Sequence, residues 1–241
     1  MGVITSPDYF SINGVSSETV GLYTDTPPVP PLALQRVTTW NTGMDMDGYS
    51  PDNVFENIQI TIRAFSFYPE SFNFSAVYAF LAEARTLMFS RFPYRYFRVV
   101  QVDSVQPEQS YDGKKIELVI TFTCEPFKYH TNNPDNTMDG QHVYLQNPGT
   151  RYSRPIYKIN HSLLGETTLS VNGETMIISK DAANPIIIDC EKMLAYSEGG
   201  HNETKYTRGL FPYLASGDNL ISAYMGSTFY QIIVQGNWRD Y

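Results

Sequence analysis

KIELVITFTC, residues 115–124, alternates apolar and polar side chains along its length. The apolar ones occupy every second position: Ile116, Leu118, Ile120, Phe122 and Cys124. The positions between them include Glu117, Thr121 and Thr123. Because successive side chains of a β-strand point to opposite faces of the sheet, this stretch predicts a strand with one face buried.

The same period recurs elsewhere in the chain. In residues 57–65, every second residue is apolar, whereas Gln59, Thr61 and Arg63 lie on the other face. Turn dipeptides typical of hairpins stand between such runs: Asn13-Gly14, Asp112-Gly113, Asn172-Gly173 and Gly226-Ser227. Asn-Gly and Asp-Gly adopt the positive φ angles that two-residue hairpin turns require. We therefore expect a mainly β protein.

Composition and charge narrow the function classes. The chain has 241 residues, 14% of them aromatic and 17% charged, which favours a packed β protein over a disordered one. Its net charge of −8 disfavours sequence-independent DNA binding, because an acidic surface repels phosphates. The first residues lack a basic start and a long apolar run, so we expect neither a signal peptide nor a membrane span.

One segment departs from the strand pattern. Between Phe74 and Met88, apolar residues follow the spacing of a helix, and Asn73 or Ser75 can cap its start. We predict a helix near 74–89. Pro93 prevents its continuation. A helix of this kind among many strands is expected to cover one open sheet face.

Residues 130–141, HTNNPDNTMDGQ, are rich in Asn, Asp, Pro and Gly and separate two strand patterns. We predict a first domain at 1–131 and a second at 132–241, the last strand of which could pack back on the first. The second domain shows seven or eight short strands, which is typical of a β-sandwich. Its predicted strands are 142–147, 155–161, 166–171, 174–179, 185–190, 218–225 and 229–236.

Sequence motifs give no support for catalysis. No GxSxG elbow or phosphate-binding loop is present, and the four histidines lack metal-ligand spacing. Neither Cys190 with His201 nor the carboxylates of Glu166, Glu174, Asp189 and Glu191 form a recognisable site. Cys124 and Cys190 are interpreted as buried thiols, with a disulfide as the alternative. We expect a protein that is not an enzyme and holds no cofactor or metal.

A basic cluster follows the predicted helix. Four arginines, interleaved with aromatic residues, occupy a stretch without acidic residues: Arg85, Arg91, Arg95 and Arg98. Arginines with aromatics can clamp single-stranded nucleic acid, and they are also enriched at protein interfaces. In an acidic chain, pairing with carboxylates of another protein copy is the favoured interpretation.

Several motifs, taken in order, resemble the distal tail proteins of siphophages. The first domain closes with a Phe-x-Cys-x-Pro stretch at 122–126, and Asn147-Pro-Gly149 with Arg154-Pro155 opens the second. An Ile-Asp-Cys strand at 188–190 is followed by Phe-Pro-x-Leu-x-x-Gly-x-Asn-x-Ile at 211–221. Asn237-Trp238 begins a stretch similar to the closing strand of that family.

The resemblance implies two β-sandwich or barrel-like domains, the first with one helix and the second galectin-like. It implies a structural virion protein at the tail tip, assembled in the host cytoplasm. There a ring of about six copies would join the tail tube protein to a tail-associated tip or fibre protein. Receptor-binding or peripheral baseplate proteins could attach, and DNA would pass through without specific binding. The candidate ring contacts are the four arginines and the acids Asp45, Asp47 and Asp52.

Two other interpretations remain open. The second domain could be a carbohydrate-binding module, with Tyr196, His201 and Asn202 as sugar contacts, because such sites pair an aromatic ring with polar groups. The chain could also be another tail or baseplate subunit that shares the ring domain.

Overall fold

In the computed structural model, the 115–124 stretch lies in a long strand, Ile116–His130, that pairs antiparallel with Ile58–Ser66. The alternate residues Leu118, Ile120 and Phe122 are fully buried. The structure describes residues 7–24, 26, 28–40, 48–67, 70, 72–109, 115–138, 142–161, 164–224 and 231–241, with the backbone alone for 38–40, 48–53, 109 and 224. The expected mainly β fold is confirmed.

The described chain divides into two units, Met1–Thr131 with Tyr241 and Asn132–Asp240. In the first unit, the helix is α1 (Phe74–Ala82), and a short 3-10 turn spans Ser17–Val20. The strands are β1 (Phe10–Ile12), β2 (Val15–Ser16), β3 (Tyr23–Thr24), β4 (Gln35–Trp40), β5 (Gly48–Phe55), β6 (Ile58–Ser66), β7 (Thr86–Phe89), β8 (Arg95–Gln109) and β9 (Ile116–His130).

The strands of the first unit form a large sheet and a separate hairpin. The sheet follows the order β2-β1-β7-β8-β9-β6-β3, and its neighbouring pairs are antiparallel. Strands β4 and β5 make a two-stranded sheet of their own within the described residues. Helix α1 buries Val77 and Leu81 in the apolar core of this unit. The side chain of Asn73 caps the helix by accepting a hydrogen bond from the Ala76 amide, at 3.1 Å.

The helix prediction for 74–89 was too long. The helix ends at Ala82, and Thr86–Phe89 is strand β7, which pairs with β1 on one side and β8 on the other. The Oδ1 of Asn13 accepts hydrogen bonds from the Arg85 and Thr86 amides, at 2.8 and 3.1 Å. These contacts fix the chain reversal after the helix. Ala84 and Met88 fit a helical stripe, but pairing with two neighbouring strands satisfies the backbone of this segment instead.

The second unit is a sandwich of two five-stranded sheets, in the orders β10-β19-β12-β15-β16 and β11-β18-β13-β14-β17. A 3-10 turn spans Thr204–Tyr206. The strands of these sheets are β10 (Asp135–Met138), β11 (His142–Asn147), β12 (Ile156–Ile159), β13 (Thr167–Val171), β14 (Glu174–Ile178), β15 (Ile186–Asp189), β16 (Leu194–Ser197), β17 (Thr207–Gly209), β18 (Gly217–Tyr224) and β19 (Ile232–Gln235). A further short strand, β20 (Arg239–Asp240), belongs to neither of the two sheets.

The core of the second unit takes residues from both sheets. Tyr157 and Ile188 come from one sheet, and Leu169 and Ile221 come from the other; all four are fully buried. Strand β10 lies inside the polar stretch 130–141, for which the composition predicted a connecting segment. Asp135–Met138 forms a strand because it pairs along its whole length with β19.

Two of the predicted hairpin turns are described. Asn13 and Gly14 join β1 to β2 with φ angles of 53° and 81°, and Asn172 and Gly173 join β13 to β14 with 52° and 91°. Positive φ at both positions is the geometry for which Asn-Gly is favoured. The predicted turns at Asp112-Gly113 and Gly226-Ser227 lie outside the described residues.

Candidate interaction surfaces

An exposed aliphatic strip runs along the first unit, from the proline-rich stretch into the β4–β5 hairpin. It comprises Val29, Leu32, Leu34, Val37 and Val54, which we call the hairpin strip. Leu32 is 70% exposed and Leu34 is 66% exposed, whereas Ala33 between them is buried. The Leu34 carbonyl accepts a hydrogen bond of 2.9 Å from the Glu56 amide, which ties this stretch to the chain before β6.

The hairpin strip borders an open depression of about 410 Å³, which is lined in part by Pro31, Leu32 and Leu34. Isolated two-stranded hairpins are only marginally stable in water. Contiguous exposed apolar residues are also typical of protein–protein contacts. The sequence patterns described above did not predict this aliphatic strip.

The four candidate arginines lie at the two ends of the β7–β8 hairpin. Arg91 and Arg95 flank its turn, whereas Arg85 and Arg98 lie at the other end, where the Val99 amide donates to the Arg85 carbonyl at 2.8 Å. An Nη of Arg91 lies 2.6 Å from a carboxylate oxygen of Asp8.

Arg98 is held on the surface of the long sheet. Its guanidinium carbon lies 3.9 Å from the centroid of the Tyr129 ring, and an Nη lies 3.7 Å from a carboxylate oxygen of Glu125. The Tyr129 hydroxyl donates to Glu125 at 2.6 Å, and its ring stacks on Tyr96 with centroids 5.6 Å apart. Arg91 and Arg98 therefore each have a carboxylate partner within their own chain.

The carboxylates that are predicted to contact these arginines lie outside the part of the chain that the structure describes. Asp45 and Asp47 lie outside the described residues, and so does the side chain of Asp52. Their pairing with the arginines of a neighbouring copy stays a prediction.

The face of β6, β9 and β8 opposite the core is polar. It carries Gln59, Thr61, Gln101, Asp103, Thr121 and Thr123, which we call the polar face. Arg63 and Glu117 lie farther along the same face. The hydroxyls of Thr61 and Thr121 lie 3.2 Å apart. Asp103 accepts hydrogen bonds from Gln101 and Thr123, at 2.6 and 2.7 Å. The alternation of apolar and polar residues in the sequence predicted that the threonines point away from the core. Only the strand register shows that they lie side by side on one surface.

The candidate sugar contacts lie on one hairpin of the second unit. Tyr196 and Asn202 form an antiparallel bridge, so their side chains share a face. His201 is the next residue and therefore points to the opposite face. The Oδ1 of Asn202 accepts a hydrogen bond of 2.9 Å from the Thr204 amide, so this side-chain oxygen is directed towards its own turn. The structure thus brings Tyr196 and Asn202 together but not His201.

Titratable groups that the sequence analysis considered and rejected as catalytic serve local structure. Glu166 pairs with Arg208 at 2.8 Å, and buried Asp189 accepts the amides of Glu191 and Lys192. Both cysteines are free and buried. Burial raises the pKa of the Cys124 thiol to about 12, and it also raises the pKa of the Cys190 thiol. Deeply buried neutral thiols are poor nucleophiles.

The described residues contain no group of three or more His, Cys, Asp or Glu side chains that could hold a metal ion. Within the same residues, no helix is long and apolar enough to cross a bilayer.

Comparison with known proteins returns a structural relative. No protein-family model and no curated protein matches the sequence. The chain is similar to the crystal structure of the Dit protein of phage SPP1, described as a paradigm of the hub adsorption apparatus in phages that infect Gram-positive bacteria. The TM-score is 0.69 with 12% sequence identity, over 96% of this chain and 98% of that one. The likeness confirms, at the level of the fold, the resemblance to distal tail proteins.

Proposed function

We propose that this chain is a structural protein of a long-tailed bacteriophage that forms a ring, of about six copies, at the distal end of the tail tube. The observation that carries the proposal is the fold, since both units together match almost the whole length of a phage hub protein. The ring would bind the tail tube protein on one side and a tail-associated tip or fibre protein on the other. Peripheral baseplate or receptor-binding proteins would attach around it. Its place is the virion tail tip, after assembly in the host cytoplasm.

The hairpin strip supports self-association. Leu32 and Leu34 are each about two-thirds exposed, and the β4–β5 hairpin pairs with no other strand among the described residues. A neighbouring copy that covers the strip removes this apolar surface from water, which contributes roughly 25 cal/mol per Å² of buried area. Ring closure requires that the strip meet a different surface of the next copy. The arginines at the ends of the β7–β8 hairpin are our candidates for that second surface, with Asp45, Asp47 and Asp52 as their partners.

The polar face supports a channel through which DNA passes without binding. Thr61, Thr121 and Thr123 offer hydroxyls already engaged in hydrogen bonds, and Asp103 repels phosphate. DNA affinity comes largely from Lys and Arg side chains that neutralise phosphates. Thr and Gln side chains lack that attraction, and the single charge of Arg63 on β6 supplies little of it, so we propose that this face lines the channel.

The experiment is electron microscopy of the purified full-length protein together with its mass in solution. Rings with a central channel are expected for the wild type. Leu32→Asp with Leu34→Asp should shift the mass towards the monomer and leave the circular dichroism spectrum unchanged. Leu164→Asp is the matched control, because Leu164 is 91% exposed in the second unit.

Three results would overturn the proposal or part of it. A wild-type protein that stays monomeric at high concentration contradicts ring formation. Copies that stack into long tubes favour a tube subunit instead. If the Leu164→Asp variant dissociates as much as the Leu32→Asp, Leu34→Asp variant, the hairpin strip has no specific role in the ring.

A further inference from the structure

A row of side chains crosses the outer face of the sheet β10-β19-β12-β15-β16. The register places Thr137, Ile233, Lys158, Ile187 and Tyr196 directly opposite one another on successive strands. Their neighbours along each strand point into the core, so the whole row faces outwards. With strands about 4.8 Å apart, the row extends roughly 19 Å from β10 to β16.

This face is concave where the row crosses it. An open depression of about 250 Å³ has a floor of Ile156, Ile187 and Ile233, with Tyr196 at one end. The three isoleucines are each half-buried, and Tyr196 is an aromatic residue of the same lining.

Polar groups at the other end of the depression are held in place. The Nε2 of Gln235 donates to a carboxylate oxygen of Asp135 at 2.7 Å, which fixes both planar groups at the rim. Lys158, in the middle of the row, lies 2.5 Å from a carboxylate oxygen of Glu198. The rim thus offers carboxylate, amide and ammonium groups, of which Lys158 is neutralised by Glu198 while Asp135 is bonded to a neutral amide.

We propose that this depression binds a neutral oligosaccharide of about three to four sugar units, lying across the strands. A pyranose ring has an apolar C–H face that packs on an aromatic ring, here Tyr196, and hydroxyls that exchange hydrogen bonds with groups such as Asp135 and Gln235. A groove of roughly 19 Å matches the length of such a chain. The pairing of Lys158 with Glu198 and the carboxylate of Asp135 disfavour an anionic ligand. The site lies entirely within the second unit, so the inference does not depend on ring formation.

Four residues that line the depression form the proposed site: Asp135, Lys158, Tyr196 and Gln235. Of these, only Tyr196 had been predicted from the sequence as a sugar contact. Asp135, Lys158 and Gln235 belong to strands far apart in the chain and meet only through the sheet register. His201 points away from the face that carries Tyr196, and the Asn202 amide oxygen is bonded within its own turn. His201 is therefore excluded from the proposed contacts, whereas Asn202 shares the face of Tyr196 and stays a candidate through its side-chain NH₂ group.

The test uses the full-length protein, a glycan array and calorimetric titration with chitotetraose, cellotetraose and mannotetraose. At least one neutral glycan should bind, and Tyr196→Ala should weaken that binding tenfold or more, whereas Tyr196→Phe should retain it within about threefold. Gln235→Ala should also weaken it. Tyr144→Ala is the matched control, since Tyr144 is 75% exposed on the other sheet of the same unit.

The proposal fails if no neutral glycan binds at millimolar concentration, or if Tyr196→Ala binds as tightly as the wild type. It also fails if the depression binds a phage protein and no sugar, and Tyr196→Ala abolishes that protein binding. Any of these results leaves the ring proposal intact, because ring formation is measured separately by mass and microscopy.

Discussion

The Nδ2 of Asn172 donates a hydrogen bond of 2.8 Å to the Oδ1 of Asn219. Asn172 is the first residue of the Asn-Gly turn between β13 and β14, and Asn219 is a fully buried residue of β18. The Asn219 amide also donates to the carbonyls of Ala215 and Gly217, at 2.9 and 2.8 Å. One buried side chain therefore joins a hairpin turn to the loop that leads into β18.

Loss of this amide should destabilise the second unit. We expect Asn219→Ala to lower the free energy of unfolding by about 2–4 kcal/mol, because it leaves several buried polar groups without partners. Urea denaturation checks this. Asn202→Ala is the control: its exposed side chain makes one hydrogen bond to the Thr204 amide, and its removal should cost less than about 1 kcal/mol. Equal losses in the two variants would contradict the role of Asn219.

Charge reversal tests the arginine contacts. Arg91→Glu with Arg95→Glu should lower the oligomer fraction at moderate salt, because the new acids repel the carboxylates of a neighbouring copy. Analytical ultracentrifugation measures the fraction. Asp8→Asn is the control, since it removes the partner of Arg91 within the chain and keeps both arginines. The interface idea is wrong if the double variant has the mass of the wild type, or if Asp8→Asn alone dissociates the oligomer equally.

Lysines on the polar face should make the channel adhere to DNA. We expect Gln59→Lys with Thr61→Lys to leave the rings intact but to bind double-stranded DNA in a mobility-shift assay. The binding should weaken as salt rises, because each phosphate contact releases counterions. Thr19→Lys with Glu18→Gln changes the net charge equally on the exposed 3-10 turn and should not bind. Equal DNA binding by both variants would place the polar face outside the channel.

Tyr157 has a hydroxyl that is fully buried and has no hydrogen-bond partner in the described structure. Burial also raises the pKa of this phenol well above its ordinary value. Tyr157→Phe should therefore raise the free energy of unfolding by about 1 kcal/mol, since it removes an unsatisfied polar group and keeps the ring. Thermal and urea unfolding measure the change, with exposed Tyr144→Phe as a control near zero. Marked destabilisation by Tyr157→Phe would indicate a buried water bonded to the hydroxyl.

The buried thiols predict a dependence on alkaline pH. The pKa of Cys124 is raised from 9.0 to about 12, so the unfolded chain loses its thiol proton before the folded chain does. The contribution of the buried, protonated Cys124 thiol to the stability of the folded state is fully present below pH 9, and it is lost as the pH rises towards 12. Stability should fall more steeply between pH 9 and 12 in the wild type than in a Cys124→Ala, Cys190→Ala variant. Iodoacetamide at pH 8 should label the native protein slowly and the unfolded protein fast; rapid native labelling would contradict burial.

Local side-chain patterns determined much of this protein. The alternation through Leu118 and Ile120 gave the strand and its buried face, and Asn-Gly at 13–14 and 172–173 gave the turns. These signals act between neighbours in the chain, because strand geometry and positive φ are properties of a few consecutive residues. The motifs of both domains, taken in order, also indicated the distal tail fold.

Contacts between distant segments decided the rest. Thr86–Phe89 fits a helix by spacing, and Asp135–Met138 resembles a linker by composition, yet both are strands because neighbouring strands supply their hydrogen-bond partners. The depression at Tyr196 exists only because the strand register brings Asp135 and Gln235 to the same face. The alternation of side chains and the choice of turn depend on adjacent residues. The strand register, and which side chains share a face, depend on pairing between strands that are about a hundred residues apart in the sequence.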